Sequence, residues 1–561
     1  MKTVRIHQIF FTSILLVSLL ASWHPSPARA EKALNFTVNT TEDTHASNTN
    51  SSTCQDANGN CSLRAALETA ANKDGVNIYL PSGTYNLTLG MVSLIGTDAL
   101  TQISLTQTGG GTLPIITGVN SGNTFIIDGN LGLDVNSVIF SNTNPIYVGN
   151  LGTLSMLNVT LTGMHVSSFG SSGDGGGAVK VLGKAFFTFC TFNGNSASNN
   201  VNGYGGAIYN QQGYVEIVAS TFSDNLADFG GAIYSQTAYD TDTNLISIKT
   251  SSFLNNTATH LGGAIHLNGY NRQFSNGHSQ VQIEESRVVG NSAPDGGGIF
   301  VGSSNPIQDP QDQGGVNILL SEISQNIASH SETYSLPGNG GGIYIKNIAN
   351  TNDNFQVNLE NSTISGNEAY NKGGGIYVEL DGGSAIFGHN VTITDNVADR
   401  SGANDGINGG NGGGYANADT NSVLHLSNSI LADNRDLSPG TLGIRIYDCV
   451  GKIGLSYSLL GRYQVIQCTL MGDTGTSIVG VSTAIDPGLN LLTDNGQFTR
   501  VHSPLISSPA INAGDPAGCS GIGARLLTID QHYNDRIRGG ICDMGAYESR
   551  FSKVFLPAVQ K

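Results

Sequence analysis

The sequence Gly-Gly-Ala-Ile-Tyr at residues 205–209 is followed by Thr-Phe-Ser-Asp-Asn at residues 221–225. Variants of this pair recur from about residue 176 to residue 434, and no other pattern in the chain repeats so often. The Gly-Gly element has its first glycine at positions 176, 205, 230, 262, 296, 340, 373 and 412. A unit of this size cannot bury its apolar residues alone, so the repeat predicts a solenoid of stacked units.

The second element of the repeat is an apolar residue followed three positions later by asparagine. It occurs as Phe192/Asn195, Phe222/Asn225, Phe253/Asn256, Val288/Asn291, Ile323/Asn326, Ile364/Asn367, Ile393/Asn396 and Leu431/Asn434. Asparagine accepts a left-handed turn, and stacked copies can hydrogen-bond as an Asn ladder. The glycine pair permits a sharp bend and close approach of the next coil.

Strand alternation gives each side chain of the repeat a direction. The isoleucine of Gly-Gly-Ala-Ile, as at Ile208 and Ile233, is predicted to face the core. The sequence shows no amphipathic helices between the strands, which excludes a doubly wound α/β fold. These features predict an all-β protein, a single-stranded right-handed parallel β-helix with coils about 4.8 Å apart.

Residues 1–30 have the features of a secretory signal peptide: a basic start, an apolar run at 9–20 and Ala-Arg-Ala at 28–30. The remaining chain carries 22 basic and 42 acidic side chains, a net charge of −20. This charge disfavours nucleic acid and anionic lipid as partners. No later apolar run reaches about 20 residues, so we predict no transmembrane span in the mature chain.

Seven cysteines indicate how the chain is cross-linked. In an exported protein the close pairs predict three disulfides, Cys54–Cys61, Cys449–Cys468 and Cys519–Cys542. The seventh, Cys190, occupies a row that is otherwise serine, two residues before the Phe or Ile of the second element. It is predicted to be a sheltered structural thiol. No cysteine or histidine cluster has the spacing of a metal site.

Both ends of the chain resemble known regions. Cys-Ser-Leu-Arg-Ala-Ala at 61–66, with Ile-Tyr-Leu-Pro-Ser-Gly-Thr-Tyr at 78–85, resembles the "CSLREA" N-terminal region of bacterial secreted β-helix proteins, with Ala65 where that name has Glu. Ser-Pro-Ala-Ile-Asn-Ala-Gly-Asp at 508–515 and Cys-Asp-Met-Gly-Ala-Tyr-Glu at 542–548 resemble the choice-of-anchor C-terminal region. These resemblances imply secretion, attachment and a pectate-lyase-like solenoid.

The repeat pair itself is similar to the GGAI and FxxN repeats of the polymorphic outer-membrane protein family. Phe192, Phe222 and Phe253 with their asparagines match that pattern, and later copies use Val, Ile or Leu. Members of that family are surface-exposed, adhesin-like proteins. The resemblance therefore implies an extracellular or cell-surface location.

The domain organisation predicted from these features has five parts. They are a signal peptide at 1–30, a CSLREA-like N-terminal cap with a short helix at 31–74, a β-helix at 75–485, a choice-of-anchor-like C-terminal cap at 486–549 and a tail at 550–561. Ser62 is the predicted N-cap of the helix.

The candidate binding residues follow the inward isoleucine of each repeat. They are Tyr209, Tyr234, His266, Phe300, Tyr344 and Tyr377. In register they would form an exposed aromatic stripe, which suits carbohydrate stacking or protein contact. The alternative is a self-stacking ladder that loops cover and that serves stability alone.

The favoured function is non-catalytic binding or adhesion to a polysaccharide or a cell-surface protein. The alternative is a polysaccharide lyase or glycoside hydrolase acting on acidic polysaccharide, which needs clustered carboxylates. Asp224, Asp228, Asp395 and Asp399 lie near the turns, but other copies of the repeat lack the acid. The run 240–244 alternates oxygen side chains without the glycine and distal glutamate of a calcium loop. We assign no catalytic residue and no metal ligand, and Ca²⁺ stays a possible cofactor.

Overall fold

The structure is a computed structural model, and it describes most of the chain. The described residues are 33–96, 101–118, 122–166, 175–198, 202–236, 246–269, 281–303, 315–347, 356–380, 385–400, 411–418, 422–437, 448–463, 468–472, 475–537 and 540–550. The predicted signal peptide at 1–30 and all but the first residue of the predicted tail lie outside them.

Helices are a minor part of the fold. Within the described ranges they are the α-helix Leu63–Ala70 and the 3-10 helix Ile522–Ala524. The α-helix begins as predicted, because the Ser62 hydroxyl accepts a hydrogen bond from the Ala65 N–H at 3.0 Å. Its buried face, which includes Leu67, joins the core of the solenoid at the first coils.

Parallel strands form four stacked ladders along the solenoid, each called a sheet below, and the first two are joined through the strand Cys449–Ser456. The glycine sheet follows the Gly-Gly elements and contains Val92–Ile95, Phe125–Asp128, Ile146–Val148, Val179–Val181, Ile208–Gln211, Ile233–Gln236, Ile265–Asn268, Ile299–Ser303, Ile343–Asn347, Ile376–Leu380 and Tyr415–Asn417. The second sheet contains Leu34–Thr37, Val76–Leu80, Thr101–Gln107, Leu131–Asn136, Thr153–Leu157, Lys184–Thr188, Tyr214–Val218, Ile246–Lys249, Val281–Glu284, Gly315–Leu319, Gln356–Glu360, Ala385–His389, Val423–Ser427, Cys449–Ser456 and Cys468–Met471.

The other two sheets hold the second element of the repeat and the segment after it. The third sheet contains Thr84–Leu87, Ile115–Gly118, Ile139–Thr143, Thr160–Thr162, Thr191–Asn193, Thr221–Ser223, Ser252–Leu254, Arg287–Val289, Glu322–Ser324, Thr363–Ser365, Thr392–Thr394, Ile430–Ala432, Leu459–Leu460 and Ile478–Val479. The fourth, shorter sheet contains Leu226–Phe229, Thr257–Leu261, Ser292–Ala293, Ile327–Ala328, Glu368–Ala369, Val397–Ala398 and Arg435–Asp436. This arrangement confirms the right-handed parallel β-helix.

Equivalent residues stack in register from coil to coil. Ile208 pairs with Ile233, which pairs with Ile265, and all three are fully buried in one continuous core. The glycine pair has the predicted role: Gly205 has φ of 62°, and a Cβ added to Gly206 would lie 2.1 Å from the Gly231 carbonyl oxygen. No residue larger than glycine fits this contact between coils.

The predicted Asn ladder is present along the inner edge of the third sheet. Each asparagine Nδ2 donates to the Oδ1 of the next at 2.8–2.9 Å, through Asn195, Asn225, Asn256, Asn291, Asn326, Asn367, Asn396 and Asn434. The last of them donates to Asp448 Oδ1 at 3.0 Å. The ladder satisfies buried backbone groups as well, since each Nδ2 also donates to a main-chain carbonyl of another coil.

The disulfides form as predicted between Cys54 and Cys61, between Cys449 and Cys468, and between Cys519 and Cys542. Cys190 is a free, buried cysteine whose backbone N–H donates to Ser220 Oγ at 3.0 Å. The thiol therefore stands in the serine row, as predicted.

Burial raises the pKa of the Cys190 thiol to about 12. Because the thiolate is the reactive form, we expect no measurable modification of the native protein by a thiol reagent at neutral pH. Unfolding in guanidinium without a reductant should expose one reactive thiol per chain. A native thiol that reacts as fast as the unfolded one would contradict this assignment.

The C-terminal region packs in a different place from the predicted one. We expected residues 486–549 to cap the last coil, but they lie along the side of the solenoid, over the outer face of the third sheet. The contacts cross successive coils and include Arg500 with Glu322 at 2.5 Å, Gln531 with Thr363 at 2.7 Å, Ala546 with Thr392 at 2.9 Å and Asp515 with Asn428 at 2.7 Å. Buried polar groups on this outer face require partners, and this region supplies them.

Candidate functional site

The aromatic row on the outer face of the glycine sheet is in register. Tyr209 pairs with Tyr234, and the pairing continues through His266, Phe300, Tyr344 and Tyr377. Successive ring centroids lie 4.7–5.5 Å apart, mostly with tilted or edge-on rings. Such spacing is favourable for aromatic pairs and stabilises the stack.

The prediction that this row is exposed is wrong. The exposed fractions are 2% for Tyr209, 5% for Tyr234, 5% for His266, 4% for Phe300, 2% for Tyr344 and 6% for Tyr377. The side chains point away from the core of the solenoid, yet other parts of the chain cover them. The structure therefore matches the alternative of a covered ladder, and the ligand-binding role of these residues stays a prediction.

A second row of side chains covers the first. Its members stand immediately before each Gly-Gly pair and are also in register, from Tyr204 through Phe229 and Leu261 to Asp295. The Tyr204 ring lies 5.4 Å from the Tyr209 ring and 4.5 Å from the Tyr234 ring. The Gly-Gly bend turns the chain sharply between the two positions, which brings the residue before the bend over the outer face of the strand after it.

Between the two rows the chain leaves a partly open cavity of about 320 Å³. Its lining residues are Tyr204, Phe229, Tyr234, Leu261, His266, Asn268, Asp295, Phe300, Gly302, Leu336, Tyr344 and Lys346. Four of the six predicted site residues therefore reach one cavity, whereas Tyr209 and Tyr377 do not line it. Leu336 comes from the turn around 331–336, which is closed by hydrogen bonds between Ser331 and Leu336.

Asp295 is the carboxylate in this lining. It is 3% exposed, and its Oδ1 accepts hydrogen bonds from the backbone N–H groups of Gly338 at 3.0 Å and Asn339 at 2.7 Å. Burial raises the pKa of Asp295 to about 6, although these hydrogen bonds and the charge of Lys346 favour the ionised form. The cavity thus presents a buried carboxyl group that titrates close to neutral pH.

The remaining polar groups are held in fixed positions. Asn268 Nδ2 donates to Tyr234 Oη at 2.9 Å, and the Tyr344 hydroxyl donates to Glu379. Lys346 Nζ lies 3.4 Å from the same Glu379 carboxylate. A few placed polar groups on an otherwise aromatic wall are typical of small-ligand sites.

His266 lies in the middle of the aromatic row. Burial lowers its pKa to about 3, so the ring is neutral at physiological pH. Its Nδ1 atom is buried without a hydrogen bond of good geometry in the described part of the chain, although the Leu261 backbone is close enough to offset part of the effect of burial on the pKa of the ring. A buried polar atom of this kind is costly unless something satisfies it.

The other carboxylates considered in the sequence, Asp224, Asp228, Asp395 and Asp399, do not line this cavity. Asp228 is fully buried and holds a loop, accepting from the Gly203 N–H at 2.7 Å. Asp224 and Asp395 occupy left-handed turn positions, with φ of 55° and 59°. Among the described residues no three His, Cys, Asp or Glu side chains are arranged to hold a metal ion. The run 240–244 lies outside the described residues.

The chain is a parallel β-helix, and its described residues form an apolar, partly open cavity on the glycine sheet. Four segments match the Chlamydia polymorphic membrane protein (Chlamydia_PMP) repeat, at residues 189–211, 219–236, 250–268 and 361–379. The chain therefore carries repeats of this type. Within the described residues no helix is long and apolar enough to cross a membrane.

The solved structures to which the chain is similar include two lyases and an epimerase. The pectate lyase Pel9A has 14% identity and a TM-score of 0.34, with 92% of this chain and 97% of that chain covered. The A-module of the Azotobacter vinelandii mannuronan C-5 epimerase AlgE4 has 13% identity and a TM-score of 0.30, with 76% and 92% covered. A rhamnogalacturonan lyase has 12% identity and a TM-score of 0.29, with 82% and 91% covered. Comparison with characterised protein sequences gives no match.

Neither the second row nor the cavity was predicted from the sequence. Tyr204, Phe229 and Asp295 occupy the position before the Gly-Gly pair, and that position differs in chemistry from one repeat to the next. The sequence signal that could have predicted the second row is its fixed position, one residue before the glycine bend of each repeat. A bend of known geometry places the residues on its two sides close together, whatever their type.

Proposed function

We propose that this chain is a surface-displayed, non-catalytic binding protein that holds one sugar unit of a glycan in the aromatic cavity. The observation that carries the proposal is the cavity itself, with the rings of Tyr204, Tyr234, Phe300 and Tyr344 in its wall. Aromatic rings pack against the apolar faces of sugars, and the fixed polar groups beside them orient hydroxyl groups.

The size and the position of the cavity support this proposal. A volume of about 320 Å³ lies at the small end of the range for ligand sites, about 300–1,000 Å³. It therefore suits one sugar unit rather than a long segment of a chain. The polymorphic membrane protein repeats include strands of the glycine sheet that form the cavity, and they support display at a surface.

The number of carboxylates that line the cavity favours glycan binding over glycan hydrolysis. Glycoside hydrolysis uses two carboxyl groups on opposite sides of the scissile bond. Among the described residues that line the cavity, Asp295 is the one carboxylate. The lyase or hydrolase alternative would be supported instead if the purified protein released products from pectin or alginate.

A glycan array with a blocked cavity tests this proposal. Leu336→Trp places a larger side chain at the cavity wall, and we expect it to weaken binding of the glycan that the wild type selects by at least about 10-fold. Leu491→Trp is the matched control, because Leu491 is 86% exposed in the C-terminal region and is not a lining residue. Equal binding by the Leu336→Trp variant, or no glycan bound by the wild type, would reject the cavity as a glycan site.

A further inference from the structure

We infer that the sugar unit held in the cavity carries an ammonium group, as in a hexosamine with a free amine. The inference rests on the proposed function, since it names the chemistry of the ligand at the same site. Three observations support it. Among the described residues, one carboxylate oxygen of Asp295 has no hydrogen-bond donor, the Asp295 charge has no ion-pair partner, and aromatic rings line the cavity.

The first observation concerns the Asp295 carboxylate. Both of its hydrogen bonds are accepted by Oδ1, from Gly338 and Asn339. No donor in the described part of the chain reaches Oδ2, although the side chain is almost fully buried and lines the cavity. Oδ2 therefore stays accessible from the cavity, where an N–H group of a bound ligand could donate a charge-assisted hydrogen bond to it.

The second observation is the balance of charge. Lys346, the one basic side chain among the lining residues, already pairs with Glu379 at 3.4 Å. His266 is neutral because burial lowers its pKa to about 3. The carboxylate of Asp295 therefore lacks an ion-pair partner within 4.0 Å among the described residues. A cationic ligand would supply that partner, whereas a uronic acid would add a like charge beside Asp295.

The third observation is the aromatic wall. Rings from both rows surround the cavity, including Tyr204, Phe229, Tyr234, Phe300 and Tyr344. The negative faces of aromatic rings attract cations, and the attraction is strongest where water is excluded.

The carboxylate oxygen distinguishes between two kinds of cation. A primary ammonium group can donate a hydrogen bond to Asp295 Oδ2, but a quaternary ammonium group has no N–H to donate. The free oxygen therefore favours an amino sugar over a choline-like group, which would use the aromatic wall alone. Tighter binding of choline than of glucosamine would overturn this part of the inference.

The test compares two ligands that differ at one nitrogen. Short glucosamine oligomers and their N-acetylated counterparts are titrated calorimetrically into the mature protein, and we expect the free amine to bind at least about 10-fold more tightly. This comparison needs no variant, so it remains valid whatever a substitution does to folding. Equal affinity for the two oligomers would overturn the inference and leave the proposed function intact. No binding of either oligomer, or of any glycan on the array, would overturn both.

The matched variants locate the effect at Asp295. Asp295→Asn keeps the shape and retains an oxygen for Gly338 and Asn339, and we expect it to bring the ratio of the two affinities close to one. Asp224→Asn removes the same charge from an exposed left-handed turn, a position that accepts asparagine, and should leave the ratio unchanged. A ratio that falls equally in both variants would show a general effect of net charge and would overturn the assignment.

Discussion

Replacing Phe222 with alanine is expected to lower the free energy of unfolding by about 3–5 kcal/mol. The Phe222 ring is fully buried and stacks between Phe192 at 4.4 Å and Phe253 at 4.8 Å. Its removal leaves a cavity in the middle of the stack, and the coils above and below cannot close it because both are fixed by strand pairing. Equilibrium unfolding in guanidinium measures the loss.

Phe189→Ala is the control for this substitution. Phe189 is 48% exposed, and the equivalent position of the next coil is already alanine, at Ala219. We expect a change within about 0.5 kcal/mol there, as for most surface substitutions. A Phe222→Ala variant as stable as Phe189→Ala would show that the stack does not contribute to stability.

The second large effect is expected at the Asn ladder. Asn291→Ala should lower the free energy of unfolding by about 3–5 kcal/mol, because each buried polar group left without a partner costs about 1–3 kcal/mol. Asn291 Oδ1 accepts from both the backbone N–H and the Nδ2 of Asn256, at 2.8 and 2.9 Å. Alanine removes that acceptor and leaves two donors unpaired in a position that water does not reach.

Asn58→Ala is the control for the ladder. Asn58 is exposed in the N-terminal loop, and its replacement should leave the unfolding curve unchanged. Hydrogen exchange adds a local measurement, since loss of the ladder should weaken protection of amides in the coils around Asn256 and Asn326 first. Uniform protection in the Asn291→Ala variant would contradict a local role for the ladder.

The repeating residues made the coil predictable from sequence. Ile208, Gly205 and Asn225 have the same identity, or nearly so, in each repeat, and a side chain that recurs at a fixed place must satisfy the same contact in each coil. Alternation along the strand then separates residues that face the core from those that face outward. The fold, the ladder and the place of Cys190 follow from these two arguments.

The cover over the aromatic row could not be predicted in the same way. Alternation shows that Tyr234 points away from the core, but it does not show what lies outside it. The covering side chains, such as Tyr204 and Asp295, differ between repeats and carry no repeating signal. The same limit applies to the C-terminal region, whose contacts join residues more than a hundred positions apart, as for Gln531 and Thr363.

The lateral packing of the C-terminal region has a mechanical consequence. Because its contacts reach coils as far apart as those of Glu322 and Asn428, a force applied at residue 550 is shared among several coils. The force then loads many hydrogen bonds between the C-terminal region and the third sheet at the same time. If the region capped the last coil instead, the coils would separate one after another. We therefore expect the solenoid to resist a force applied at this region better than it would with a cap on its last coil.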